Sequence, residues 1–336
     1  MEIWSLRVVA IHPEALDTKT ILLERTDGQP FPYQPGQFLT LLFQFRGHEL
    51  RRSYSFSTTP GVDPLPAITV KRIPNGEISR YLLDHLQPGD HLTTLPPAGR
   101  FTLEPAPELF FLAAGSGLVP VFSLIKQALK QPETHITLIT QQHEPASTPF
   151  RQQLSRLQAT YGPGQFEWID LLSIQNGRIN NWWLERWLET TQALKNDTRF
   201  YLCGPTAFMR MAQFTLKTLG ISDDHIRQEY FTIERRPPPP PLIDPAPKKV
   251  TILTGNGRVE FDTAWPDTIL DAALKHGIRL PYSCRAGRCS TCVARLEKGR
   301  VKLSTNEVLT EKDQQQGLTL TCVGYAETDV TLSFAP

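Results

Sequence analysis

The sequence predicts a multidomain protein with three folding units in series: an antiparallel β-barrel, an α/β unit built on a parallel sheet, and a small α+β unit at the C-terminus. Three observations carry that expectation. Residues 1–104 alternate short apolar, strand-like runs with turns, which is the texture of a small barrel. Residues 105–234 switch to strand-like and helix-like runs in alternation, which implies a parallel sheet covered on both faces. Pro237–Pro241 are five consecutive prolines, followed by Pro245 and Pro247. Such a run favours an extended polyproline II spacer over a helix or central strand, so 235–248 reads as a linker and 249–336 as a separate unit.

Bulk properties agree. The chain has 336 residues, enough for two or three domains at about 150 residues each. It is 40% hydrophobic and 21% charged, which leaves ample material for real cores. Thirty-five Lys and Arg against 34 Asp and Glu give a net charge of +1, so no whole-chain field for nucleic acid or an anionic membrane is expected. The start, Met1–Arg7, lacks a basic segment followed by an apolar one, so no export signal is expected. The most apolar stretch, Leu109–Ile125, is interrupted by Gly115, Gly117 and Pro120 and is too short to span a bilayer. The expectation is a cytoplasmic protein with no membrane partner.

In the first unit the strand-like runs are Leu6–Ile11, Lys19–Glu24, Phe38–Phe45, Ala67–Arg72 and His91–Leu95. Arg52-Ser53-Tyr54-Ser55 ends a further strand entered from Leu50, and Gly76-Glu77-Ile78-Ser79 opens a short helix that stops at Pro88-Gly89. In the second unit, strands Leu109–Ala113, Ile136–Thr140, Glu167–Ile169 and Arg199–Leu202 alternate with helices Pro120–Leu129, Pro149–Ala159, Trp183–Leu194 and Ala207–Leu219. Gly115-Ser116-Gly117 stands between strand and helix, where a glycine-rich turn lets backbone approach a dinucleotide pyrophosphate. Arg235-Arg236 and Lys248-Lys249 read as solvated linker ends. The proline run would also suit a proline-binding module, but a spacer between two foldable segments is the stronger reading.

The third unit opens with a hairpin, Lys249–Leu253 and Gly257–Phe261, then a helix Thr268–His276 stopped by Gly277. Four of the five cysteines lie here. Cys284, Cys289 and Cys292 form C-x4-C-x2-C, and Cys322 follows after 29 intervening residues. An odd cysteine count without an export signal argues against disulfides. Zinc is the serious alternative, since four thiolates suit a tetrahedral site, but zinc ribbons present two short cysteine pairs on separate knuckles. Three cysteines on one loop with a distant fourth is plant-type [2Fe–2S] spacing. The loop Ser283–Cys292 is small and polar, so backbone N–H groups can reach cluster sulfurs. The whole segment resembles the β-grasp fold of plant-type ferredoxins.

Arg52-Ser53-Tyr54-Ser55, followed by Gly76-x-x-Ser79, resembles the ferredoxin–NAD(P)H reductase family, with Pro35-Gly36-Gln37-Phe38 and Pro97–Phe101 similar to its other barrel signatures. Residue chemistry is consistent with a flavin site. Arg52 offers a planar cationic fork to phosphates, and N–H groups near Ile78 and Ser79 suit the same anion. Tyr54 can lie along an isoalloxazine. The resemblance implies that Ser55 donates toward flavin N5, that Ser53 belongs to the same motif, and that Val70, Lys71 and Gly76 lie along the ribityl–phosphate portion. It favours FAD over FMN. Taken singly, these residues read equally well as a surface arginine, a barrel tyrosine and a helix-capping serine.

Gly115-x-Gly117-x-x-Pro120 lacks the third glycine of an ordinary dinucleotide fingerprint and carries the proline typical of this reductase family. Cys203-Gly204-Pro205 resembles the family's C-G-P segment, which places Cys203 beside the nicotinamide C4. A buried small hydrophobe is the ordinary alternative. Gln228-Glu229-Tyr230-Phe231 resembles its C-terminal E-x-F: Glu229 would approach the nicotinamide, and Phe231 or Tyr230 would cover the flavin or simply pack. After the second strand, Gln141–Pro145 has no arginine before Arg151, and Glu144 would repel a 2′-phosphate, so the pattern leans to NADH over NADPH.

Nearly the whole chain resembles reductase components of multicomponent oxygenases, of the phenylacetyl-CoA oxygenase reductase type. That implies hydride transfer from NAD(P)H to FAD, oriented by Ser55, Cys203 and Glu229, then single electrons to a [2Fe–2S] cluster on Cys284, Cys289, Cys292 and Cys322. The acceptor would be a partner protein, a terminal oxygenase, hydroxylase or desaturase. A stand-alone reductase of ferric complexes or quinones, and a non-catalytic scaffold, are the other two readings. Arg285, Arg288 and Arg295 read either as a docking patch or as a solvated loop.

Overall fold

The computed structural model describes residues 2–45, 48–191, 197–231, 244, 246–254 and 257–334. Two compact units result, Glu2–Phe231 and Thr232–Pro336. The expected spacer prolines Pro237–Pro241 and Pro245 lie outside the described residues, as do Arg235, Arg236 and Leu194.

The first part of Glu2–Phe231 is a six-stranded antiparallel sheet made by β1 (Trp4–Ala15), β2 (Thr18–Arg25), β3 (Phe38–Phe45), β4 (His48–Ser55), β5 (Ala67–Lys71) and β6 (His91–Thr94), with helix α1 (Glu77–Asp84) between the last two strands. The order is β4-β3-β6-β1-β2-β5. Just past β4, Phe56 bridges Ile68 of β5, so the two edges meet and the sheet curls into a barrel. Alternation along β1 and β2 sends Leu6, Val8, Ile21 and Leu23 inward, where Phe56, Ile68 and Val70 join them in one buried cluster. α1 closes the barrel with Ile78, Leu82 and Leu83, which recur at helical spacing.

The second part is a five-stranded parallel sheet, order β11-β10-β7-β8-β9. Its strands are β7 (Glu108–Ala114), β8 (His135–Gln142), β9 (Phe166–Leu172), β10 (Thr198–Cys203) and β11 (Ile226–Glu229). Its helices are α2 (Leu118–Ala128), α3 (Arg151–Tyr161), α4 (Ser173–Asn176), α5 (Asn181–Thr190) and α6 (Thr206–Thr218). Strand β7 is apolar on both faces. Leu109, Phe111 and Ala113 pack with α2 and α3, whereas Phe110, Leu112 and Ala114 pack with α5 and α6. Each such large side chain contributes about 1.5–3 kcal/mol on full burial. Several boundaries shift from the sequence expectation, two of them for an evident reason. Helix α2 starts at Leu118 rather than Pro120, because proline is tolerated anywhere in a first turn. Helix α5 starts at Asn181, because the Asn180 side chain accepts from the Trp183 N–H and caps it.

The two parts are bolted together along α2. Ser123 Oγ donates to the Thr58 carbonyl at 2.5 Å, and Thr59 Oγ1 donates to the Ser123 carbonyl at 2.7 Å. Lys126 pairs with Asp63 at 2.5 Å. Burial presses the Lys126 ammonium below its ordinary pKa, while Asp63 opposes that shift.

The C-terminal unit is a β-grasp fold. Its five-stranded mixed sheet has order β13-β12-β18-β14-β16, from β12 (Lys248–Thr254), β13 (Gly257–Thr263), β14 (Val293–Lys298), β16 (Leu318–Leu320) and β18 (Val330–Ser333). β15 (Val301–Leu303) and β17 (Gly324–Ala326) form a separate pair, with helices α7 (Ile269–Lys275) and α8 (Glu311–Gln315). Strands β12 and β18 run parallel, and Ile269, Leu270, Ala272 and Ala273 of α7 seal the core. Thr268 caps α7, and Gly277 stops it with φ +72°. Lys248, expected as a linker end, instead opens β12 just before Lys249, the expected start of the hairpin: the Lys249 N–H donates to Asp329 and Lys248 pairs with Asp244. Among the described residues, no helix is long and apolar enough to cross a membrane.

Candidate active site

Strand β4 carries Arg52 and Tyr54 on one face, paired with Leu41 and Leu39 of β3. Arg52 is half-buried and donates to the Arg51 carbonyl at 2.8 Å. Burial pushes the Tyr54 phenol well above its ordinary pKa, with Arg52 pulling the other way. Ser53 faces the neighbouring strand, its hydroxyl 3.0 Å from that of Thr40. Ser55 ends the strand, buried. Val70 is buried and Lys71 half-buried at the end of β5.

Helix α1 begins at Glu77 with Gly76 as N-cap and no side-chain cap, so the positive end of the helix is open to an anion. Ser79 does not cap it. Its hydroxyl instead accepts from the Ile73 N–H at 3.2 Å and is buried beside Ile78. A Cβ on Gly76 would meet Ser79 Oγ at 2.6 Å and Ile73 Cβ at 3.0 Å, so a larger residue here must displace the Ser79 hydroxyl. An uncapped helix start and the cationic fork of Arg52 each suit the diphosphate of a flavin cofactor.

The second cluster lies at the carboxyl edge of the parallel sheet, where such folds bind dinucleotides. Gly115 turns the chain with φ +57°, and the Gln142 amide donates to its carbonyl at 3.0 Å. Gly117 packs directly on the end of β10, where an added Cβ would lie 2.1 Å from the Cys203 carbonyl oxygen. Gly204 is equally hemmed in by Phe208 and Ala114, and Pro205 caps α6. Pro120 is buried in the first turn of α2. Cys203 and Glu229 are register partners on β10 and β11, both buried. Burial drives the Cys203 thiol far above its ordinary pKa, and Glu229 adds to the shift, so the sulfur stays a neutral thiol. Phe231 is partly exposed just past β11, and the Tyr230 hydroxyl donates to Gln228.

In the C-terminal unit, all four motif cysteines are free thiols, with Cys289, Cys292 and Cys322 buried and Cys284 half-buried. Pairing of β14 with β16 brings the distant Cys322 to Cys292. Thiol hydrogen bonds link Cys284 to Cys289 and Cys322, and Cys322 to Cys292, so the four sulfurs form one connected group. That sharing pulls the Cys284 thiol far below its ordinary pKa and pushes Cys289 and Cys322 up. The Ala286 and Arg288 N–H groups each donate to Cys284 Sγ at 3.4 Å, and the Cys284 N–H donates to Cys289 Sγ at 3.3 Å. Arg285 and Ser290 hold left-handed φ values of +56° and +55°, which turn those N–H groups inward. Among the described residues, no three Cys, His, Asp or Glu side chains converge on a single-ion site. A binuclear cluster takes two thiolates per iron, so its ligands share no common centre, and this donor set suits it.

The comparisons agree part by part. Residues 6–103 match the oxidoreductase FAD-binding domain, 111–213 the oxidoreductase NAD-binding domain, and 253–327 the 2Fe-2S iron-sulfur cluster binding domain. The chain is 33% identical to a component of the 1,2-phenylacetyl-CoA epoxidase of Escherichia coli K12, over 98% of this chain and 97% of that one. It is 31% identical to the ferredoxin reductase component of 3-ketosteroid-9-alpha-monooxygenase from Rhodococcus rhodochrous, over 96% and 94%. The chain belongs to the family of oxygenase reductase components. The fold of the reductase matches phthalate dioxygenase reductase, a structure of 22% identity, with a TM-score of 0.62 over 99% of this chain and 98% of that one. The reductase also spans 41% of an intact type IV self-sufficient cytochrome P450 monooxygenase, at 21% identity and a TM-score of 0.75. It is an NAD(P)H-dependent flavin iron–sulfur oxidoreductase whose cofactors are FAD and a [2Fe–2S] cluster.

Three features escaped the sequence. Gln142 props the glycine turn, Thr58 and Thr59 grip α2, and Glu104 meets Arg227. Each pairs residues 27 to 123 positions apart, and nothing in local composition signals such a pairing. Of the arginines near the cluster, Arg285 and Arg295 are exposed, and Arg288 alone differs from expectation. Arg288 is neither docking patch nor solvated loop: it is buried and paired with Glu307 at 2.8 Å. Arg285 lies over Tyr282 and reaches Asp271, and Arg295 donates to the Gln316 carbonyl.

Proposed function

We propose that the reductase feeds a separate terminal oxygenase from NADH, with its chemistry carried by the residues assembled above. The nicotinamide supplies two electrons as hydride, the cluster takes them singly, and FAD converts between the two. Arg52 and the open start of α1 at Gly76, Ile78 and Ser79 hold the flavin diphosphate. Tyr54 lies along the ring system, Val70 and Lys71 border the ribityl chain, Ser53 braces the strand, and Ser55 donates toward N5. Gly115, Gly117, Pro120, Gly204 and Pro205 shape the dinucleotide turn. Cys203 and Glu229 flank the nicotinamide C4 and fix its approach, and Phe231 covers the flavin. Cys284, Cys289, Cys292 and Cys322 ligate the cluster. No side chain needs to move a proton, so orientation is the protein's contribution.

The observation that carries this reading is the meeting of Cys203, Glu229 and the Gly115–Gly117 turn at one edge of the sheet. NADH is favoured because Arg151, the nearest arginine after β8, is already bound to Asp170 and lies over Trp168. Division into 1–104, 105–234, a 235–248 spacer and 249–336 accords with the change of sheet type and the proline run, save that Lys248 belongs to β12. A cytoplasmic location accords with five free thiols. The relatives serve an epoxidase of a CoA thioester and a steroid monooxygenase, so the acceptor is an oxygenase of that kind. The test is an anaerobic absorbance titration with NADH, then NADPH, alongside iron and flavin analysis. Bleaching of flavin and iron–sulfur bands together, with two irons and one FAD per chain, is expected. A cluster that stays oxidised while flavin bleaches would overturn the internal relay.

A further inference from the structure

The segment that leaves the barrel is gripped at both ends. At the barrel, Gly36 lies so close to the Phe101 carbonyl that an added Cβ would stand 1.9 Å from its oxygen. At the sheet, the Phe101 ring meets Tyr201 edge-on, with centroids 5.6 Å apart. The Tyr201 hydroxyl accepts from the Glu104 N–H at 2.7 Å and donates to the Thr102 carbonyl at 3.4 Å. The Glu104 carboxylate accepts from Arg227 through Nε at 3.2 Å and through Nη2, and Arg199 Nε stands 3.5 Å from its other oxygen. Two cations thus share one carboxylate. Arg199 Nε and Nη1 and Arg227 Nη1 are buried without a hydrogen-bond partner among the described residues.

Sheet register ties this grip to the nicotinamide edge. Tyr201 pairs with Arg227, and two residues farther along Cys203 pairs with Glu229. Side chains two apart share a face, so the two pairs are consecutive rows about 7 Å apart. The lower row holds the barrel's exit segment, and the upper row is the one assigned above to the nicotinamide. We infer that Glu104, through Arg227 and Tyr201, is a positioning residue for hydride transfer: it sets how the Cys203–Glu229 row faces the flavin barrel. This rests on the assignment of Cys203 and Glu229 made under the proposed function. Glu104 touches no reacting atom. It acts by fixing the one covalent connection between the two parts against the strand pair that carries the upper row. Loss of its charge would remove the carboxylate that Arg199 and Arg227 share, leaving Arg199 with the field of Asp224 alone, which displaces that row.

The test uses full-length holoprotein carrying Glu104→Gln, with Cys203→Ser and Glu229→Gln as references and Glu104→Asp as the conservative rescue. Flavin reduction by the preferred nicotinamide is followed by stopped flow, with donor deuterated at C4, and amide exchange is measured over 200–203 and 226–229. In Glu104→Gln the reduction rate constant falls about 10- to 100-fold, as ångström-scale misplacement predicts. The isotope effect changes and exchange at both strands accelerates, while FAD content stays at one per chain, and Glu104→Asp restores most of the rate. If Glu104→Gln keeps the parent rate, isotope effect and exchange while Cys203→Ser or Glu229→Gln alters rate and isotope effect, the positioning role is overturned and the site assignment stands. If none of the three alters them, the assignment itself fails. Should Glu104→Gln not fold, Tyr201→Phe, which removes the other tie to this segment, the Tyr201 hydroxyl bonded to the Glu104 N–H and the Thr102 carbonyl, carries the same comparison.

Discussion

Gly117 and Cys203 touch through backbone alone: the place where a Gly117 side chain would begin is 2.1 Å from the Cys203 carbonyl oxygen. Helix α2 and strand β10 are thereby drawn into contact at the mouth of the dinucleotide crevice, and any side chain at 117 must push them apart.

Gly117→Ala therefore destabilises the chain by about 1–3 kcal/mol through overpacking. The larger effect is on the nicotinamide. Anaerobic bleaching by NADH should slow markedly while FAD remains bound, since the flavin residues lie on the barrel. Parent-like bleaching would mean that the strand–helix contact is dispensable.

Gly76→Ala addresses the flavin end. Its Cβ meets Ser79 Oγ at 2.6 Å and Ile73 Cβ at 3.0 Å, so the Ser79 hydroxyl must leave its contact with the Ile73 N–H at the start of α1. Purified variant should carry less FAD per chain and lose it faster on dilution, whereas iron content stays unchanged.

How much of these sites is legible in the order of amino acids alone? Strand Phe38–Phe45 is legible residue for residue, because its apolar run is bounded by Gly36 and by a polar turn. The grouping of the four cysteines in the C-terminal unit is equally legible, since their spacing already sets three on one loop with a distant fourth. The doubly buried β7 is legible too, but the start of the helix after it is not, because a proline can occupy any position of a first turn. The Glu104–Arg227 tie leaves no trace: it joins residues 123 apart, and neither carries a local signature. Arg288 of the cluster loop misleads for the same reason, since it finds its partner in Glu307, 19 residues on.

Lys126 gives a pH signature. Burial lowers its pKa in the folded chain below the ordinary 10.5, so in the window just under that value the unfolded chain holds a proton that the folded chain releases. Stability thus rises with pH there, because the unfolded state binds more protons. Lys126→Met should flatten that rise in the alkaline window just below 10.5 when urea melts of the two proteins are compared. Asp63→Asn, which strands the same ammonium, should cost about 3 kcal/mol.

Cys322→Ser separates the two redox halves. The iron–sulfur absorbance should disappear while NAD(P)H still bleaches the flavin, and electron delivery to cytochrome c should fall to near background. Unchanged delivery would show that electrons leave directly from the flavin.

Donor choice turns on Arg151. With Arg151 engaged by Asp170, NADH should exceed NADPH in kcat/KM by about tenfold or more, the effect of one absent phosphate contact. Arg151→Ala should lower the melting temperature without reversing that preference.

Strand β7 presents apolar side chains to both of its neighbouring layers, so hydrophobicity alone cannot fix its phase. Sliding it by one residue would leave it just as greasy, yet every large side chain would change layers and Gly115 would leave the place where Gln142 meets it. Gene variants should reflect this asymmetry. Exchanges among aliphatic residues in Leu109–Ala113 ought to be widely accepted, whereas a single-codon insertion or deletion ought to be as damaging there as a nonsense mutation.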